Sequence, residues 1–116
     1  MVVDNILRVK ASGKDDDVND VIQYGEALIM AAVEANVTRV LCDEKDLAYT
    51  IGTLDTFKAA EHIAKKAPKV ARIAFVCHPR YVEDGQFWET VAVNRGLVVR
   101  MFTEVEEAED WLQSLE

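Results

Sequence analysis

The amino-acid sequence predicts an α/β domain with a four-stranded, mainly parallel sheet and about four helices, and three observations carry that prediction. In the stretch 71–112, ARIAFVCHP, an amphipathic segment ending in AVNRG, the run LVVRMF and the box TEVEEAEDWL follow one another with almost no slack. Strand, helix, strand and helix are read there with little competition. Upstream the same alternation occurs twice more, so every connection between strands contains a helix, and such connections make parallel pairs through right-handed crossovers. The run ARIAFVC is the most continuous apolar segment, the mark of a central strand covered on both faces. A sheet order of 2-1-3-4 satisfies these rules, and the 116 residues are expected to make one domain, 1–116.

Residues 6–11, ILRVKA, alternate, with Ile6, Arg8 and Lys10 on one side and Leu7, Val9 and Ala11 on the other, as in a strand with one face wet or partly covered. Gly13 ends it. One of Asp15, Asp16 and Asp17 then caps a helix near 17–35, whose stripe is Val18, Val21, Ile22, Gly25, Leu28, Ile29, Ala32 and Val33. Asn36 closes that helix, and RVLCD from Arg39 to Asp43 is a short strand of buried type. Residues 44–53, EKDLAYTIGT, are the longest stretch without a clear period and read as a loop, where functional segments concentrate. The stripe Leu54, Phe57, Ala60, Ala64 and Ala67 resumes a helix capped by Thr53 or Asp55, with Lys65 and Lys66 complementing its C-terminal dipole and Pro68 as its stop.

After the strand 71–77, His78 and Pro79 break the chain. Glu83 and Asp84 open a helix with Phe87, Trp88, Val91 and Ala92 inward, and Gly96 follows its end in the left-handed conformation. LVVRMF is the last strand, at 97–102. Thr103 and Glu106 form a capping box for a helix near 104–115, with the stripe Val105, Ala108, Trp111, Leu112 and Leu115.

Composition narrows the function classes. A net charge of -8 and 13 Lys and Arg in no dense tract leave no electrostatic footprint for a phosphate backbone, so no nucleic-acid partner is expected. There is no apolar run of membrane-spanning length, and MVVDNILRVK lacks the basic and apolar regions of a signal peptide, which together predict a cytoplasmic protein. Cys42 and Cys77 lie in apolar strand-like runs, and with two histidines they make no metal-ligand spacing. They read as buried structural thiols, with no metal and no cofactor expected.

RVLCDE after the long first helix, ARIAFVCHP, EDGQFWETVAVNRG, VVRMF and EAEDWL together resemble the SpoIIAA-like branch of the STAS fold, from about Ile6 to Leu112. This is the domain type of sulfate transporters and anti-sigma-factor antagonists. The resemblance implies a bacterial-type regulatory domain that works by protein–protein interaction. The family's fold is also compared with the lipid-transfer CRAL-TRIO fold, which implies a small-ligand or lipid-binding carrier as the alternative. In the antagonists the corresponding strand ends in Asp followed by Ser-Ser-Gly, and phosphorylation of a serine there switches partner binding. Asp43 stands where that aspartate would, but Glu44 and Lys45 follow it and the phosphoacceptor serine is absent.

Ligands of open parallel sheets sit beyond the carboxyl ends of the strands where the strand order reverses, here between strands one and three. That expectation gathers Ser12, Gly13, His78 and Arg80 around one crevice, with Asp43 and Tyr49 next to it. The simplest reading of His78 is a partly exposed imidazole hydrogen-bonded to backbone. A general-base role would require Asp43 within hydrogen-bond reach, about 3 Å. The expected function is thus a non-enzymatic interaction module, followed by a carrier of a small amphiphile, and then by a small enzyme using His78 and Asp43. The mixed face of the first strand calls for a partner chain or an incomplete helix layer, and a homodimer through Arg8 and Lys10 is the expectation drawn from it.

Overall fold

The order of the strands follows from where two charged side chains can go. In the computed structural model, which describes residues 1–15, 17–49, 52–66 and 72–114, five strands form one sheet in the order in which the chain makes them. They are β1 (Val2–Val3), β2 (Ile6–Asp15), β3 (Arg39–Tyr49), β4 (Arg72–Cys77) and β5 (Val99–Phe102). β2 to β5 pair in parallel, and β1 folds back antiparallel onto β2. The expected order 2-1-3-4 is therefore corrected: the four predicted strands lie 1-2-3-4, and a short fifth precedes them. Both orders obey the crossover rule, but a first strand at the centre would carry Arg8 and Lys10 under a helix layer. Set toward the edge, it leaves Lys10 exposed and brings Arg8 to Glu109, at 2.7 Å.

The added strand was missed because it is two residues long. Its turn is made by Asp4 and Asn5, both with positive φ, 54° and 64°, as a tight two-residue hairpin requires. Asp and Asn tolerate that region better than other residues with a Cβ.

Because the order advances one strand at a time, every crossover moves the same way, and one handedness puts all the crossover helices on one face. These are α1 (Val18–Ala35), α2 (Thr53–Lys66) and α3 (Val82–Val93). Leu7, Val40, Cys42, Ile73, Phe75 and Val99 of the sheet form one core with Val21, Leu28 and Ile29 of α1, Ala59, Ala60 and Ile63 of α2, and Trp88 and Val91 of α3. Among the described residues the opposite face carries a single helix, α4 (Val105–Ser114), whose Ala108 and Leu112 meet Ile6, Leu41, Ala74 and Val76. This is the partly covered face that the alternation of the first strand implied. Among the described residues no helix is long and apolar enough to cross a membrane.

Helix ends follow local chemistry. Asp17 is the aspartate that caps α1, accepting from Asn19 N–H at 2.7 Å, and Asn36 closes it in the left-handed conformation. Gly96, at φ 89°, follows α3 as expected. α4 begins at Val105, one residue later than expected, with Ala108 N–H donating to Glu104 O. Pro68, Asp16, Ala67 and Leu115 lie outside the described residues.

Four side chains are turned out of the stripes read in the sequence. Leu54 and Phe57 of α2 face outward, and the buried side of that helix is Thr56, Ala59, Ala60 and Ile63. Phe87 of α3 also turns out, making an edge-to-face contact with Phe57 at 5.7 Å, and Val33 of α1 is exposed. The reason lies at Gly25: a Cβ there would stand 2.5 Å from Ile63 Cδ1, so α1 and α2 are close enough for Ile63 to fill the space of the missing side chain. Small residues set the approach of the helices, and the larger apolar ones are left outside it.

Candidate functional site

The segment 44–53, expected as a loop, is strand to Tyr49, and the cause of its missing period is visible. Lys10 pairs with Asp43, but Ser12 pairs with Asp46, so β3 has one more residue than β2 across this interval. Such a bulge reverses the alternation of the strand that carries it. Val40 and Cys42 face the three helices before it, and Leu47 lines the same side after it. Asp43 braces the bulge: its Oδ1 accepts from Lys45 N–H at 3.2 Å and its Oδ2 lies 3.9 Å from Lys45 Nζ. β4 ends opposite Glu44, so residues 45–49 of β3 continue beyond it as a two-stranded ribbon with β2.

With strands one and three separated by strand two, there is no reversal of order between them. Gly13, His78 and Arg80 nevertheless come together, in an open cleft of about 230 Å³ between the ribbon and the single 3-10 turn Pro79–Tyr81, with Lys45, Asp46 and Tyr81. Ser12 is opposite Asp46 in the ribbon and does not line the cleft, and neither does Asp43. Tyr49 closes the ribbon opposite Asp15, and its side chain lies outside the described residues. His78 Nδ1 accepts from Arg80 N–H at 3.0 Å and caps the turn. That bond makes Nδ1 the acceptor nitrogen of the ring.

Deeper, between the sheet and the three helices, lies a cavity of about 60 Å³. Its walls are apolar, with Val21, Leu28, Ile63, Phe75, Trp88 and Met101 among them. Two glycines shape it. Gly25 admits Ile63, and at Gly85 a Cβ would stand 2.6 Å from Met101 Cγ. Polar groups gather at one end, formed where β4 stops beside β3 and α3 starts: Tyr24, Glu44, Cys77, Tyr81 and Asp84. This is the end nearest solvent, since Asp84 is exposed and Tyr24, Glu44 and Tyr81 are half-buried, whereas Ile73, Leu97 and Val99 at the far end are buried. Leu47 and Tyr81 border both the cavity and the cleft.

The electrostatics of that end follow from burial. The Tyr24 hydroxyl is buried without a well-formed hydrogen bond, and desolvation, reinforced by Cys42 and Glu44, raises its pKa above the usual 10.0. Cys42, fully buried beside it, is raised well above 9.0, first by desolvation and then by the charge of Glu44. Cys77 is raised by the same two causes. Both thiols are free and protonated at neutral pH, and neither has the electropositive surroundings of a reactive cysteine. Among the described residues no three His, Cys, Asp or Glu are placed to hold a metal ion.

Sequence reasoning missed this site because its polar members come from unrelated places: a tyrosine on the first helix, a glutamate in the bulged strand and an aspartate at the start of the third helix. One signal was present. Gly25 sits in the middle of an apolar helical stripe, where glycine costs about 1 kcal/mol relative to alanine and a packing reason is to be sought. Comparison with protein-family models, with curated proteins and with solved structures finds no match in any of the three.

Proposed function

We propose that this chain is a non-enzymatic, STAS-like binding module whose ligand is a small amphiphile. The observation that carries the reading is the apolar cavity with polar groups at one end only, the arrangement expected of a pocket that buries a hydrocarbon part and holds a head group toward solvent. Its volume of about 60 Å³ sets the scale. A dry engineered cavity of about 150 Å³ holds benzene, so this one takes a shorter apolar group as it stands. Met101 is the wall best able to give way to a longer one, being unbranched and packed against a glycine. The STAS-like part of the reading is supported by the runs RVLCDE, ARIAFVCHP and EDGQFWETVAVNRG. Native mass spectrometry after gentle purification should find extra mass that is released on denaturation. Protein that is always empty, and that no short-chain alcohol stabilises against heat, would overturn the proposal.

A regulatory role through protein contact is supported by a different feature. Leu54 and the edge-to-face pair Phe57 and Phe87 present apolar area on the outside of α2 and α3, with the Arg95 guanidinium over the Phe57 ring at 5.0 Å. Aromatic and arginine side chains of this kind are the usual anchors of interfaces. On this reading Phe57→Glu abolishes recovery of a partner from native extract. Recovery that is indifferent to the exchange removes it.

A further inference from the structure

The polar end of the cavity has a sign. Among the described residues, its titratable groups other than tyrosine and cysteine are two carboxyl groups, Glu44 and Asp84, and no Lys, Arg or His lines it. The buried Tyr24 hydroxyl adds an oxygen with no well-formed hydrogen bond of its own. Each of these atoms can accept a hydrogen bond, and the whole chain carries a net charge of -8, which steers cations toward it. The three cationic candidates nearby, Lys45, His78 and Arg80, border the separate cleft beyond Leu47 and Tyr81, and Lys45 is drawn to Asp43.

Building on the reading of the cavity as a binding site, we infer that it selects a primary ammonium head group carried on a short apolar chain, and discriminates against carboxylates. An ammonium brings three donors to the acceptors of Glu44, Asp84 and Tyr24, whereas a carboxylate brings only acceptors and a like charge. Hydrogen bonds to charged groups are the stronger ones, and losing one weakens binding by roughly tenfold or more.

The test is an NMR titration of the full chain at neutral pH and constant ionic strength with three four-carbon probes, butylamine, butanol and butanoate. The Trp88 indole, which lines the cavity, reports occupancy, and the Trp111 indole, on α4 against the opposite face of the sheet, is the internal control. The expected result is saturable movement of the Trp88 signal with Trp111 unchanged, butylamine binding roughly tenfold or more tightly than butanoate, with butanol between them. Glu44→Gln should bring butylamine to the level of butanol. Asp84→Asn, on an exposed side chain, reduces the same preference should the Glu44 variant fail to fold. Butanoate binding as tightly as butylamine, or a preference unmoved by both variants, overturns the head-group inference while leaving the cavity a binding site. Failure of all three probes to move Trp88 overturns the binding reading itself.

Discussion

The two faces of the sheet are built on different principles. On the face of α1, α2 and α3, side chains from every parallel strand join three helices in one continuous core, and the polar groups that line its cavity gather at one end. The α4 face has a small cluster around Leu112, with Arg8, Lys10, Asp46 and Glu109 in ion pairs near it. A stepwise strand order makes this asymmetry unavoidable, since all the crossovers share one side and only a terminal helix remains for the other. The crowded face is therefore where a ligand can be enclosed, and the sparse face is where charge can be tolerated.

The largest effects should come from the cores. Trp88→Ala is expected to cost about 3–5 kcal/mol and Leu112→Ala about 2–5 kcal/mol in urea unfolding. The faces should separate in how they fail. After Leu112→Ala, amide exchange of α4 should rise well above that of α1, because little else holds α4 down. Equal protection of the two helices in that variant would break the distinction.

Alkali should act on the three-helix face. Unfolded thiols ionise near 9.0, while the fully buried Cys42 in the native chain keeps its proton. Above that pH the native state binds more protons than the unfolded one, so stability falls as pH rises, by up to ~1.4 kcal/mol per pH unit for each thiol held neutral. Tyr24 adds to the slope above 10.0. Cys42→Ala should flatten the decline between pH 9 and 10 by about one group's share. An unchanged slope would mean that burial of this thiol is not what resists ionisation.

The approach of α1 and α2 can be tested at Gly25. Alanine there meets Ile63 Cδ1 and Cγ1 and should cost about 1–2 kcal/mol, overpacking outweighing the gain in helix propensity. Ile63→Val removes one of the opposing carbons, so the double variant should be less destabilised than the sum of the two singles. Additive losses would show that the contact is not what sets the spacing.

The smallest effects belong to the ion pairs of the α4 face. A double-mutant cycle on Arg8 and Glu109, each about one-third exposed, should give a coupling of no more than ~1 kcal/mol. Lys10 and Asp46, largely exposed at 3.7 Å, should give a coupling near the lower end of the range for surface pairs and lose it in high salt.

Strands, helices and several of their ends were written in the sequence because they rest on local chemistry. Alternation at Ile6 to Ala11, the apolar run before Cys77, the aspartates ahead of Val18 and Gly96 after the third helix each act within a few residues of themselves. The bulge in β3 was not legible, because an extra residue is defined only against the partner strand, and its effect on the sequence was merely to erase a period. The outward turn of Phe57 and Phe87 was likewise hidden, being decided by which small residues let two helices meet. The same limit applied to strand order: crossover rules allowed two arrangements, and the choice between them waited on Glu109, a residue 101 positions from Arg8. Of the expected site, Gly13, His78 and Arg80 were brought together by the ends of their own strands, whereas Tyr24, Glu44 and Asp84 met only through packing. The sequence by itself determined the local conformations, whose energies are fixed within a turn or a strand. The tertiary structure decided the face each helix covers, the register of the bulged strand and the place where polar groups border an apolar cavity, because those depend on contacts between residues the chain keeps far apart.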